Sequence, residues 1–460
     1  MVVAMSPALF NSYSLHNSGH YETVQKVLHS ALEAADPMMA IRRKVVLEGD
    51  YLRIAEREYF LNEYNRVFLI GFGKAALSMT KAMMDILGDW VKGGIVISKL
   101  TGCPDEILLP ETIRVLKGSH PVPDENSVYS TQALVEFVKE TQPNDLVICL
   151  ISGGGSALLT LPVEGVGLED IRSLTNTLLA CGAEIGEINT LRKHLDQVKG
   201  GGLAHMIFPA QLITLILSDV IGSPLDVIAS GPTVADPTTY EDAIKILRKY
   251  RIEGQVPVRI MKVLQAGRQG RIDETVKPGE ECLQYIQNMV VSSNVQAAKY
   301  TLEVARREGL NANLLTTFLH GEANQAGMFL GGIIRQIATS GQPMNPPACL
   351  VVGGETTVTL RGNGLGGRNM ELALGAVYDI AGLEKSMLIT LATDGEDGPT
   401  DAAGAVVTGQ TLDRGRRAGL NPSLFLQNND SYHYFERLND LLKTGPTGTN
   451  VNDLAFLFVF

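Results

Sequence analysis

Along most of the chain, continuous apolar runs alternate with segments whose apolar residues recur every three to four positions. The runs at 67–70, 146–151, 212–217, 349–352, 387–391 and 454–460 are rich in Val, Ile, Leu and Phe and barely alternate with polar residues. Strands buried on both faces, as in parallel sheets covered by helices, read this way. Residues 94–98, 289–291, 313–317 and 356–360 are further strand candidates. Helical periodicity predicts helices over 21–34, 74–87, 127–141, 168–181, 191–206, 240–250, 294–308, 322–339, 366–379 and 430–442. Such alternation of strand and helix predicts an α/β architecture.

The 460 residues suit two or three domains. A polar, turn-rich stretch at 251–281 and a Gly/Pro-rich turn at 341–347 mark breaks. They divide the chain into an N-terminal unit at 1–281 and a smaller α/β unit at 282–460, with the core of the second at about 348–460. The longest apolar runs fall far short of the roughly 18 residues a membrane span needs. Residues 1–10 lack the charged and apolar regions of a signal peptide.

Charge narrows the partners. Acidic residues outnumber basic ones 50 to 39, for a formal charge of -11. A diffuse acidic surface repels nucleic acid and anionic membranes, so neither is expected as a partner. An anionic substrate would need a local cluster of positive charge. The five cysteines, Cys103, Cys149, Cys181, Cys282 and Cys349, are odd in number, widely spaced and without a CxxC pair. They read as reduced thiols in a cytoplasmic setting, not as a disulfide framework or a zinc site, with Cys149 and Cys349 in the core.

Glycine carries the chemical signal. Many of the 47 glycines cluster where predicted strands end. Ligands bind beyond the carboxyl ends of strands in open α/β sheets, and glycine lets backbone N–H groups approach a phosphate. The first cluster, Gly71-Phe72-Gly73-Lys74-Ala75-Ala76, is like a dinucleotide fingerprint. However, Lys74 opposes the dipole of the helix it opens, and the next strand ends in Ser98-Lys99 where a ribose-binding acid would be wanted. Lys74 therefore points to an anionic partner.

Ser152, Gly153, Gly154, Gly155 and Ser156 form a candidate nest for phosphate or carboxylate at the end of a buried strand. Asn189, Arg192 and Lys199 belong to a basic segment that ends in three glycines, with Arg192 and Lys199 expected on one helix face. His194 in the same segment reads as structural. Asp219 leaves a strand at its carboxyl end, where it could hold Mg²⁺, accept a proton or cap a helix. Glu355 follows a Gly-Gly pair, and Arg368 opens a helix after the most glycine-dense segment, where its planar fork suits a carboxylate or phosphate. Asp394, Glu396, Asp397 and Asp401 place four acids within eight residues, a repulsion that Mg²⁺ with nucleotide phosphates would relieve.

Together the segments GFGKAA, LISGGGSALL, INTLRKHLDQVKGGGLA, LSDVIGSPLDVIASGPTVADP, VGGETTVTLRGNGLGGRNMELAL, TDGEDGPTDAAGA and GPTGTNVND resemble the glycerate 2-kinase family of the MOFRL type, collinearly from about residue 22 to the end. The resemblance implies ATP-dependent phosphorylation of D-glycerate to 2-phosphoglycerate with a divalent metal such as Mg²⁺. It also implies a Rossmann-like N-terminal domain, a smaller α/β C-terminal domain and an active site in the cleft between them. The family's catalytic lysine and arginine fall on Lys74 and Arg368. Asp219, Asp394 and Asp397 are then the candidate metal ligands. Ser152–Ser156, Asn189, Arg192, Lys199 and Glu355 are the candidates for holding substrate or phosphate. A homodimer is compatible with this reading. Two rivals stand beside it: an NAD(P)H-dependent reductase acting on hydroxypyruvate or tartronate semialdehyde, which leaves the acidic loop unexplained, and a non-catalytic nucleotide or metabolite sensor.

Overall fold

The structure, a computed structural model, describes residues 10–99 and 107–460. Cys103 and residues 1–9 lie outside the described residues. The chain forms two units, one from Pro37–Val291 and one from the described part of Met1–Asp36 together with Ser292–Phe460.

The unit at Pro37–Val291 begins with a small antiparallel meander, β1 (Val45–Glu48), β2 (Tyr51–Ile54) and β3 (Arg57–Phe60). Its strands are four residues long and half polar, which leaves too little apolar periodicity to read from sequence. The main sheet is built from β4 (Arg66–Phe72), β5 (Val91–Ser98), β6 (Ile113–Lys117), β7 (Asp145–Ile151), β8 (Gln211–Leu217) and β9 (Ile286–Ser292), in the spatial order β6-β5-β4-β7-β8-β9. The pairs from β6 to β8 are parallel. Counted from β4, this is the Rossmann order, and the winding reverses between β4 and β7. Every residue of β7 is buried, as its unbroken apolar run requires. Its one charge, Asp145, is paired with Arg66 at 2.6 Å. Cys149 lies at 0% exposure in the core beside Ile70, Ile95 and Val147.

The expected helix over 191–206 is two helices, Ile185–His194 and Gly202–Ile207. Gly200 (φ +54°) and Gly201 (φ +84°) turn the chain between them through a left-handed conformation that a side chain disfavours. Arg192 and Lys199 therefore do not share a helix face.

In the other unit, β10 (Asn311–Leu319), β11 (Ala348–Gly354), β12 (Ser386–Ala392), β13 (Gly404–Thr408), β14 (Leu441–Leu442) and β15 (Asp453–Val459) make a mixed sheet in the order β10-β11-β15-β12-β13-β14. Only β10 and β11 run parallel; the remaining pairs are antiparallel. β15 is buried at all seven positions, between β11 and β12. Residues 356–360 do not form the expected strand; Thr357 makes a single bridge to Glu322. The expected helix over 430–442 stops at Leu438, where Asn439 turns left-handed, and the chain continues into β14.

The sequence division at residue 281 places 1–36 with the N-terminal unit, whereas the structure places the described part of that segment with the C-terminal one. The cause is packing. Helix Tyr21–Ala35 buries Val24, Val27, Leu28 and Ala31 completely and lies against helix Asn294–Arg307. The Ser14 amide and the Ser12 and Ser14 hydroxyls donate to the buried Asp440 carboxylate, which also pairs with Arg414.

Candidate functional site

The turns that follow β4 and β7, at the reversal of winding, are locked together. The Ala75 amide donates to Ser152 Oγ (2.9 Å), the Lys74 amide to the Gly153 carbonyl (2.9 Å), and the Ser152 amide to the Phe72 carbonyl (3.1 Å). Gly73 has φ +126°, and a Cβ there would fall 2.2 Å from Ser152 Oγ, so this position admits only glycine. The helix begins at Ala76, which leaves Lys74 in the turn itself with its side chain exposed to solvent.

A cavity of about 570 Å³ opens beside these turns. The Ser152–Ser156 loop, Asn189, Arg192, Lys199 and Asp219 all line it, so the sequence candidates of this unit converge. Asp219 presses on the loop: a Cβ at Gly153 would lie 2.1 Å from its Oδ2. Ser230 Oγ donates to Asn189 Oδ1 (3.2 Å) and meets Ser156 Oγ at 3.1 Å, linking the two segments.

The basic residues behave differently from one another. Lys199 is 3% exposed, and its three N–H groups go to the Leu159 carbonyl, Thr160 Oγ1 and Asp196. It is a buried structural cation, not the anion receptor expected of it. Lys193 is likewise taken by Asp236 and Asp226, and His194 by the Thr190 carbonyl and Glu274. Arg192 differs. Among the described residues no carboxylate lies within 4 Å of its guanidinium, and burial pushes its pKa down. It is a largely desolvated positive charge facing a cavity, a condition that favours an anion.

Sequence reasoning missed His120, which lies in the cavity wall with its ring against Gly154. Burial first, then the charges of Lys74 and Lys99, lower its pKa to about 4, so the imidazole is neutral near pH 7. Only its place after a strand in Gly118-Ser119-His120-Pro121 could have drawn attention to it.

In the other unit Arg368 opens helix Arg368–Gly375 as expected. Its Nε donates to Asp453 Oδ2 (2.5 Å), its Nη2 to Asp453 Oδ1 (3.3 Å), and its Nη1 lies 3.1 Å from Glu355 Oε1. Burial opposes the charge, but Asp453 and Glu355 outweigh it and raise the pKa. Asn452 Nδ2 holds the other Glu355 oxygen at 2.8 Å. Glu355 is thus a clamp on Arg368. An acid there would repel a phosphate, so of the two roles expected of Glu355, holding substrate or phosphate, a direct phosphate contact does not fit.

Asp397 is 2% exposed and anchors the same helix. Its Oδ1 accepts from the Asn369 amide (3.0 Å) and Asn369 Nδ2 (3.3 Å), and its Oδ2 from the Met370 amide (2.8 Å). With both oxygens committed to the helix N-terminus, it does not fit the role of metal ligand. Asp401 pairs with Lys443 and Tyr432, and Asp394 accepts from the Glu396 amide. The acids of this loop are therefore spread over separate partners.

Residues 23–265 match a family model described as a domain of unknown function (DUF4147), and residues 348–453 match the MOFRL family. A protein of Pyrococcus horikoshii named glycerate 2-kinase is 42% identical over 94% of this chain and 96% of its own. A Thermotoga maritima protein named D-glycerate 2-kinase is 44% identical over 85% and 90%. A crystal structure of glycerate kinase from Thermotoga maritima superimposes with a TM-score of 0.85 at 39% identity, covering 95% of this chain and 99% of that one.

Proposed function

The chain belongs to the glycerate kinase family of the MOFRL type, and we propose from that premise how its residues carry the reaction. It is a glycerate 2-kinase, a phosphotransferase with an alcohol acceptor that moves a phosphoryl group from ATP to D-glycerate. The observation that carries the site assignment is the pair of cations, Lys74 and Arg192, at the carboxyl end of a Rossmann-ordered sheet in an acidic protein. We place the ATP phosphates there, against the Ser152–Ser156 loop.

Phosphoryl transfer passes through a state whose charge is spread over equatorial oxygens, so fixed positive charge and positioning dominate catalysis. Lys74 supplies an exposed ammonium on a turn whose backbone is locked to Ser152 and Gly153. Arg368 supplies a guanidinium whose orientation Glu355 and Asp453 fix, with two of its five N–H groups left for a ligand. In this reading each cation, within its own unit, is a candidate for stabilising the charge of the transferred phosphoryl group. A divalent metal such as Mg²⁺ usually needs only one or two carboxylates besides the phosphates. Asp219, a hard oxygen donor against the phosphate-binding loop, fits that requirement, and Asp394 is the second candidate. The metal would neutralise charge on the phosphate oxygens. Neutral His120 beside Lys74 can accept a hydrogen bond from a substrate hydroxyl without adding charge. Among the described residues no helix is long and apolar enough to cross a membrane. A cytoplasmic enzyme, where ATP is abundant, is the natural setting.

Phosphorus NMR of the product formed from ATP, Mg²⁺ and D-glycerate tests the reaction, and 2-phosphoglycerate is the expected signal. Lys74→Met and Arg368→Ala test the assignment. Each should lower kcat/KM at least 100-fold, or about 2.7 kcal/mol of transition-state stabilisation. Either variant remaining within about twofold of the parent, roughly 0.4 kcal/mol, would remove that residue from the mechanism.

A further inference from the structure

Three side chains of different chemistry converge far from the phosphate-binding turns. His205 is exposed on helix Gly202–Ile207, Glu280 is half-buried, and Cys282 is 4% exposed at the start of the short helix Glu281–Tyr285. One potential ligand atom from each lies within 4.8 Å of the others. We propose that His205, Glu280 and Cys282 form a binding site for a borderline-soft divalent cation, with Zn²⁺ as its representative.

The donor set decides the class of metal. An imidazole, a carboxylate and a thiolate in one cluster suit zinc and not magnesium or calcium, which take oxygen ligands. Ligands around a tetrahedral zinc, at about 2.0–2.3 Å from the ion, stand roughly 3.5 Å apart. A rotamer change of the exposed histidine would shorten the remaining distance. Three protein ligands leave the fourth position to water.

The scaffold is also in place. The Phe208 and Tyr285 rings meet at 5.3 Å, and Gln211 Nε2 donates to the Tyr285 carbonyl (2.7 Å), so the two ligand-bearing segments already run side by side. Glu280 Oε1 accepts from the Lys277 amide (2.5 Å), which orients the carboxylate and leaves Oε2 available. Burial first, then the Glu280 carboxylate, push the Cys282 thiol up, against the amides of Cys282 and Leu283 that face its sulfur. A cation between the two acidic groups removes that conflict, with release of the thiol proton to solvent. No CxxC pattern signals the site, because its ligands come from positions 205, 280 and 282.

Both segments lie near the amino ends of β8 and β9, whereas the cavity lies beyond the carboxyl ends of the sheet. A seven-residue strand spans roughly 23 Å, so the cation would act as a cross-link and not as a participant in phosphoryl transfer. The full-length protein, stripped of metal and free of nucleotide, should bind zinc with a rise in melting temperature. With Co²⁺ it should show a thiolate-to-metal charge-transfer band. Cys282→Ser should abolish the band, and the exposed substitution His205→Ala should weaken zinc binding at least tenfold while leaving kcat unchanged at saturating Mg²⁺ and ATP. Absence of the band in the parent protein, its persistence in Cys282→Ser, or unaltered zinc affinity in His205→Ala would each overturn the proposal.

Discussion

Replacing Arg192 with Met should raise the stability of the protein and lower its activity. The substitution keeps the unbranched apolar stem and removes a guanidinium that has no carboxylate partner among the described residues. Desolvating an ion costs several kcal/mol even after relaxation. Arg192 keeps some contact with solvent, so only part of that cost applies, and the variant should gain about 1 kcal/mol. In the substrate complex the sign reverses. A hydrogen bond to a charged group contributes about 1.5–3 kcal/mol, which corresponds to a loss of roughly 10- to 150-fold in kcat/KM. Urea unfolding of the ligand-free protein gives the first quantity. Initial rates with ATP and D-glycerate varied separately give the second and show which substrate the residue touches. A variant destabilised by more than about 1 kcal/mol, with kcat/KM within twofold of the parent, would mean that Arg192 is a structural residue.

Three further outcomes follow from the same geometry. Lys199→Met strands the buried Asp196 carboxylate and should cost about 3–5 kcal/mol of stability by urea unfolding, with little change in the kcat of the folded fraction. Asp397→Ala leaves helix amides at Asn369 and Met370 without acceptors, so it should cost about 1–3 kcal/mol and lower kcat through a displaced Arg368. Its Mg²⁺ activation midpoint should stay put, and a tenfold shift would restore Asp397 as a metal ligand. The pKa of His120 is lowered to about 4 from 6.5, so between these values the unfolded chain binds more protons than the native one. The stabilising contribution of neutral His120 is thus complete above about pH 6.5 and declines as pH falls towards 4. NMR titration of the imidazole checks this, and a midpoint above 6 in the free enzyme would contradict it.

What could be read from sequence was whatever lies within one turn or one strand. The buried strands β7 and β15, the tight turn at Gly73 and the placement of Arg368 at a helix start all follow from residue types a few positions apart. The roles that escaped depend on partners distant in the chain. Asp397 reads as one more acid in a charged loop until the amides of Asn369 and Met370 stand against it. Lys199 reads as a phosphate receptor until Asp196 and the Leu159 carbonyl occupy its ammonium. Glu355 changes meaning once its carboxylate meets Arg368. His120 carries no local mark at all, since its neutrality comes from burial and from Lys74, 46 positions away.

The position of β15 has a bearing on synthesis. β15 is synthesised after β11 and β12, yet it must enter between them. Until it arrives, both neighbours present unsatisfied edges, and Leu454, Phe456 and Phe458 have no cover. The C-terminal unit thus cannot mature progressively on the nascent chain and instead closes in one late event. A chain interrupted just before Asp453 would lack the middle of a sheet, not a peripheral strand.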